Sequence, residues 1–128
     1  MATDERDWAA VQECFDASVV FDMTSLGAPK AVTLSPAQIA DAWRDGLRPI
    51  ESVHHQVGNV RIDCVGDRAK ASCYGIAYHC RSTKSGRNTR VFVGTYDVEL
   101  RRAAPAWRIT HFRFNLKFID GNLELEKD

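Results

Sequence analysis

The sequence predicts an α+β domain built on a strongly bent, mostly antiparallel sheet. Helical apolar spacing stops at Pro49, and from Val57 onward the chain reads as long alternating strands joined by short turn signals. Helices gathered at one end of a sequence pack on one face of an antiparallel sheet, and long strands twist and can curl around them. A third observation concerns one long strand, where Ala69, Ala71, Gly75 and Ala77 share a face. Such a face leaves volume beneath it for a closely packed helix, the commoner occupant, or for a ligand. The length of 128 residues predicts a single domain, 1–128.

Thr3 can cap a first helix with Asp4 and Glu5 at its positive end, and Trp8, Val11, Gln12 and Phe15 keep helical spacing up to Phe15. Ser18 to Met23 is a β-branched run expected to be a strand, broken by Gly27 and Pro29. Ser35, Pro36 and Gln38 open the clearest helix, as N-cap, first-turn proline and capping-box partner. Ile39, Trp43 and Leu47 form its apolar stripe, and Pro49 stops it. Val57 to Val65 then alternates, with Val60, Ile62 and Cys64 on one face. Gly66-Asp67 signals a hairpin into a strand from Arg68 to Arg81. Lys84 to Asn88 turns into Thr89 to Arg102, and Ala103 to Pro105 turns into Ala106 to Ile119.

Lys plus Arg equal Asp plus Glu at 17 each, which argues against a nucleic-acid partner, since binding a phosphate backbone needs a basic surface. No apolar run approaches the roughly 18 residues of a membrane span, and the polar, acidic start from Met1 to Trp8 does not read as a signal peptide. The expectation is a cytoplasmic protein with reduced thiols. Cys14, Cys64, Cys73 and Cys80 lack C-x-x-C spacing and read as small buried hydrophobes.

Eight short motifs come in a recognisable order: R-D-W at 6–8, V-V-F-D-M-T-S-L at 19–26, A-W-R at 42–44, H-H-Q-V-G-N at 54–59, A-Y-H at 77–79, G-T-Y-D-V-E-L at 94–100, W-R-I at 107–109 and I-D-G-N at 119–122. Together they resemble the SnoaL-like polyketide cyclase and scytalone dehydratase group of the nuclear transport factor 2-like superfamily. The resemblance implies a cone-shaped α+β barrel with a hydrophobic pocket at its open end. It also implies chemistry without metal or cofactor, and homo-oligomers joined through sheet faces, here a homodimer or homotrimer. In dehydratase-like members an Asp on the early strand and two His on the sheet meet in the pocket; the matching positions are Asp22, His55 and His79. The sequence departs from that pattern where tyrosines should flank the Asp, since Phe21 and Met23 stand there. The group also carries a further helix ahead of R-D-W, whereas this chain starts just before that motif.

Asp22 interrupts an apolar strand, where an ionised carboxylate needs a partner; otherwise it ends the strand, facing water or capping Ser25. His79 shares its face with Cys73, Gly75 and Ala77, which leaves room for a polar neighbour, and with Asp22 it would form an Asp–His dyad. Counting back by twos from Ile62 and Val60 selects His54, whereas the family motif selects His55; a bulge at Gly58 would reconcile them, with His54 kept as the alternative. Asn115 and Tyr96 are substrate-binding candidates, the first as an amide among apolar residues, the second with its ring inside beside Val98 and Leu100. Trp43 reads as core and is carried as a pocket candidate, and His111 reads as surface or interface. Tyr74, Ile76 and Tyr78 occupy the face opposite His79, too aromatic to be left in water and so a candidate subunit interface. A 2-His-1-carboxylate metal set would need Asp22, His55 and His79 to converge; the H-x-D/E spacing is missing and no metal is expected.

The functional expectation is a cofactor-independent acid–base enzyme of dehydratase, isomerase or cyclase type. It would act on a small, mostly apolar, oxygenated molecule through Asp22, His55 and His79. The alternative is a non-catalytic ligand-binding or assembly module of the same fold.

Overall fold

Side chains that must reach the core decide where the first elements begin and end. The computed structural model of the chain describes residues 1–128. Residues 2–6 form turns rather than a helix, and Arg6 takes a left-handed φ of 58°. The helix cap is Asp7, not Thr3: its carboxylate accepts from the Ala10 N–H at 3.1 Å, and α1 runs only over Trp8–Glu13. Phe15 already belongs to a strand, β1 (Phe15–Asp22). Its ring packs edge-on to Trp43 and Phe112 at 5.9 and 6.1 Å, a tertiary contact that overrides the helical spacing. Val32–Leu34 forms β2, antiparallel to β1, a strand too short for its alternation to show in the sequence. Helix α2 (Pro36–Leu47) carries the expected capping box, with both Ser35–Gln38 hydrogen bonds made.

Four long strands follow: β3 (Ser52–Val65), β4 (Arg68–Cys80), β5 (Thr89–Ala103) and β6 (Ala106–Gly121). The six strands form one sheet in the order β2-β1-β6-β5-β4-β3. All pairs are antiparallel except β1 with β6, which is parallel. The sheet is therefore mixed, curved without closing, in keeping with a cone-like fold. β3 begins at Ser52 rather than Val57, so both His54 and His55 lie on a strand. A bulge does shift its register: Gly58 pairs with Tyr74 and Arg61 with Ser72, leaving Asn59 and Val60 opposite a single residue. Asn59 takes a φ of 54°, a left-handed conformation that Asn tolerates. His55 thereby shares a face with Val57 and Val60, both of which line the cavity, while His54 points to the other side.

Only 15 of the 128 residues are buried, because neither face of the sheet is fully covered. One core cluster joins Val11, Phe15, Val19, Phe21, Ile39 and Ala40; a smaller one joins Ile50, Val53 and Leu125. Trp43 packs against the first and Leu47 against the second, so α2 spans both, and the same two side chains line the cavity. The small-residue face of β4 is not covered by a helix. Ala71 and Ala77 line the cavity, and the Tyr96 ring lies over Gly75 so closely that a Cβ there would sit 2.1 Å from it. The cysteines are free and are not core residues: Cys14 and Cys64 are exposed, Cys73 and Cys80 half-buried. Cys14 closes a short helix and Cys64 sits near the end of an edge strand, where little covers them. No helix is long and apolar enough to cross a membrane.

Candidate active site

The concave face of the sheet holds a mostly apolar cavity of about 440 Å³, within the range of small-molecule sites. Met23, Leu26, Trp43, Phe92, Phe112 and Phe114 supply apolar wall; His55, His79, Tyr96 and Cys73 supply the polar groups. His55 stands opposite Ala77 in the β3–β4 ladder, and His79 lies two residues further along β4 on the same face. Such diagonal neighbours have backbones about 7–8 Å apart, and both rings line the same cavity.

His55 is held by Asp4. The Asp4 Oδ2 accepts from the His55 backbone N–H at 2.8 Å, and Oδ1 lies 2.5 Å from the ring Nδ1. A carboxylate in that position fixes the proton on Nδ1 and leaves the lone pair on Nε2. Burial alone would raise the pKa of Asp4, but the hydrogen bonds from His55 outweigh it and hold the carboxyl below its ordinary value. β3 is the edge strand, so the same contact satisfies an edge N–H that has no ladder partner. The N-terminal turn is fixed in turn by Arg6, whose guanidinium donates to the Leu47 carbonyl at 3.1 Å and to that of Ile50.

His79 is held differently. Its Nδ1 lies 3.3 Å from Nη2 of Arg90, and because a guanidinium only donates, this contact favours a bare Nδ1 with the proton on Nε2. Burial, then the Arg90 charge, pushes its pKa down to about 4, so the ring is neutral near pH 7. Tyr96 packs against Phe112 and Phe114 at 5.6 and 4.9 Å, and burial pushes its phenol up to about 12, keeping it a neutral hydroxyl.

Asp22 does not meet the histidines. Val19 and Phe21 turn into the core, so period-two alternation sends Asp22 to the outer face. There its Oδ1 accepts from the Thr24 hydroxyl at 2.7 Å and the Thr24 N–H at 3.0 Å, with Arg113 3.9 Å from Oδ2. These bonds from Thr24 lower its pKa and tie the end of β1 to the short 3-10 turn Thr24–Leu26, which carries Leu26 to the cavity. The expected meeting of Asp22 with His79 is therefore corrected: the carboxylate that meets a cavity histidine is Asp4, which holds His55 from behind the cavity wall. Asn115 is also outside the cavity, donating to Thr95 and to Asp97 at 2.8 Å on the outer face. His54 rests against Tyr78 on that face, 6.4 Å between ring centroids. Trp43 and Tyr96 do line the cavity. No three His, Cys, Asp or Glu side chains converge as metal ligands would, since the one set considered from sequence is split between the two faces.

The profile of the SnoaL-like domain matches residues 1–113. No functionally curated protein matches the sequence. Among solved structures, the Kfla4162 protein of Kribbella flavida superposes with a TM-score of 0.91 at 19% identity, over 99% of this chain and 88% of that one. A scytalone dehydratase-like protein from Novosphingobium aromaticivorans gives 0.81 at 12% identity, over 94% and 78%. The hexachlorocyclohexane dehydrochlorinase LinA-type3 from Novosphingobium barchaimii gives 0.76 at 12%, over 95% and 81%. At these identities the likeness is one of fold.

Proposed function

The chain belongs to the SnoaL-like family, and from that premise we propose that it is a cofactor-independent acid–base enzyme acting on a small, mostly apolar ketone or related oxygenated molecule. The observation that carries the reading is the 2.5 Å contact of Asp4 with His55 at the wall of an apolar cavity that also holds His79 and Tyr96. His55, with its lone pair on Nε2, takes a proton from carbon next to the carbonyl. The C–H electron pair moves into the new double bond, and the negative charge reaches the oxygen, which accepts a hydrogen bond from His79 Nε2–H. In an elimination the pair returns to expel a β-hydroxyl, and the proton held by His55 leaves with it as water. Two of the similar folds are named for eliminations, of water and of hydrogen chloride, which favours this branch over isomerisation or ring closure.

The test is turnover of a panel of cyclic β-hydroxy ketones, followed by the absorbance of the conjugated product. His55→Gln and Asp4→Asn are expected to lose roughly 10²–10⁴-fold in kcat/KM, the scale of one positioned proton transfer. Full activity in both variants would sink the reading. Tight binding of such ketones with no turnover would favour the ligand-binding alternative.

A homo-oligomer is proposed on a separate observation. On the outer face Tyr74, Tyr78 and Phe118 are 54%, 41% and 55% exposed, around the Ile76–Val93 pair. A sheet face this apolar fits a second copy of itself.

A further inference from the structure

Arg90 sits where an arginine is costly to bury. Its side chain is 11% exposed, and its Nε is buried without a hydrogen-bond partner. A buried ion pair with an unmet donor is weak evidence for a stabilising role. The surroundings nevertheless hold it tightly. Glu126 takes both terminal nitrogens, Nη1 at 2.8 Å and Nη2 in the companion bond, and the guanidinium lies over Phe92 at 5.1 Å. Glu126 itself is brought in by a C-terminal segment anchored through buried Leu125, buried Asn122 and Arg81, which donates to the carbonyls of Leu125 and Glu126. What this arrangement delivers is Nη2 beside His79 Nδ1, with Phe92 also packed 5.1 Å from the imidazole.

Resting on the acid–base reading above, we infer that Arg90 is the positioning residue of His79: it fixes the Nε2–H tautomer, so that His79 serves as a neutral hydrogen-bond donor backed by a fixed positive charge. The ligands this favours are those whose oxygen carries or gathers negative charge, enolates and phenolates. A guanidinium behind a neutral imidazole stabilises that charge without becoming an acid itself, because it stays protonated throughout. The other groups facing His79 are His55, Glu126 and Asp4; His55 adds to the effect of Arg90, and the two carboxylates oppose it.

The experiment uses the full chain, ¹⁵N-labelled, and reads the imidazole nitrogens by two-bond ¹H–¹⁵N correlation as pH is lowered. Wild type is expected to show His79 with a bare Nδ1 and a protonated Nε2. Arg90→Met should mix the two tautomers and move the His79 titration up, towards the ordinary histidine range; Arg90→Lys, which can still donate, should restore the tautomer in part. With 4-nitrophenol as probe, wild type should bind the phenolate form, and Arg90→Met should weaken it roughly tenfold. An Nδ1–H tautomer in wild type would overturn the inference, as would an unchanged tautomer and titration in Arg90→Met. If Arg90→Met does not fold, the wild-type tautomer and the Arg90→Lys titration still decide. None of these readings needs turnover, so an inactive protein with the expected His79 tautomer would count against the enzymatic reading alone.

Discussion

Asp4 directs both carboxylate oxygens to one residue, and the pairing orients His55 more firmly than a single bond would. Replacing Asp4 by Asn keeps the shape but loses the charge that favours Nδ1–H, so the predicted loss is in kcat more than in KM, to be read from steady-state kinetics on the ketone panel. At His79 the prediction concerns stability. Its folded pKa of about 4 lies below the ordinary 6.5, so the unfolded chain binds the proton first as pH falls. Stability from this group is present above pH 6.5 and is lost as pH drops towards 4, by on the order of 2 kcal/mol once partial exposure is allowed for. Urea midpoints measured across that window should fall in wild type and fall less in His79→Gln. Asp4, Asp16 and Glu126, all lowered by their partners, add their own losses at lower pH.

At the scale of elements, the β3 bulge decides which histidine reaches the cavity. Asn59→Val places a β-branched residue at a φ of 54° and should cost about 1–2 kcal/mol, a drop of several degrees in Tm; Asn59→Gly should leave it close to unchanged. On β4, Gly75→Ala would set a methyl 2.1 Å from the Tyr96 ring, pushing that ring into the cavity. Weaker ligand binding with only modest destabilisation is expected, and calorimetric titration against thermal melting separates the two. These elements also show what the sequence made legible. His55 against His54 turned on a bulge whose need was visible in the alternation. The outward direction of Asp22 was visible too, since Val19 and Phe21 claim the opposite face. Asp4 and Arg90 were not: their partners His55 and Glu126 lie 51 and 36 residues away, and no local period links such pairs.

Across the whole molecule, the outer face divides. One half carries cross-strand charges, Asp22 beside Arg113 beside Asp97 and His111 beside Glu99 beside Lys70, that answer one another within the chain. The other half is the apolar patch around Ile76. If that patch joins two copies, Tyr78→Lys should shift the sedimentation coefficient to the monomer value while leaving the His55 and His79 imidazole signals in place. An unchanged coefficient, whether monomer in both or oligomer in both, would remove the patch as the interface.

The way the N-terminal turn docks on β3 gives the protein a built-in reporter. The amide proton of His55 belongs to an edge strand yet is protected by a carboxylate from the far end of the chain. Its solvent exchange rate therefore measures how often residues 1–6 lift away. Should that lifting precede global melting, warming would release the His55 ring from Asp4 while the sheet still gives its full circular dichroism.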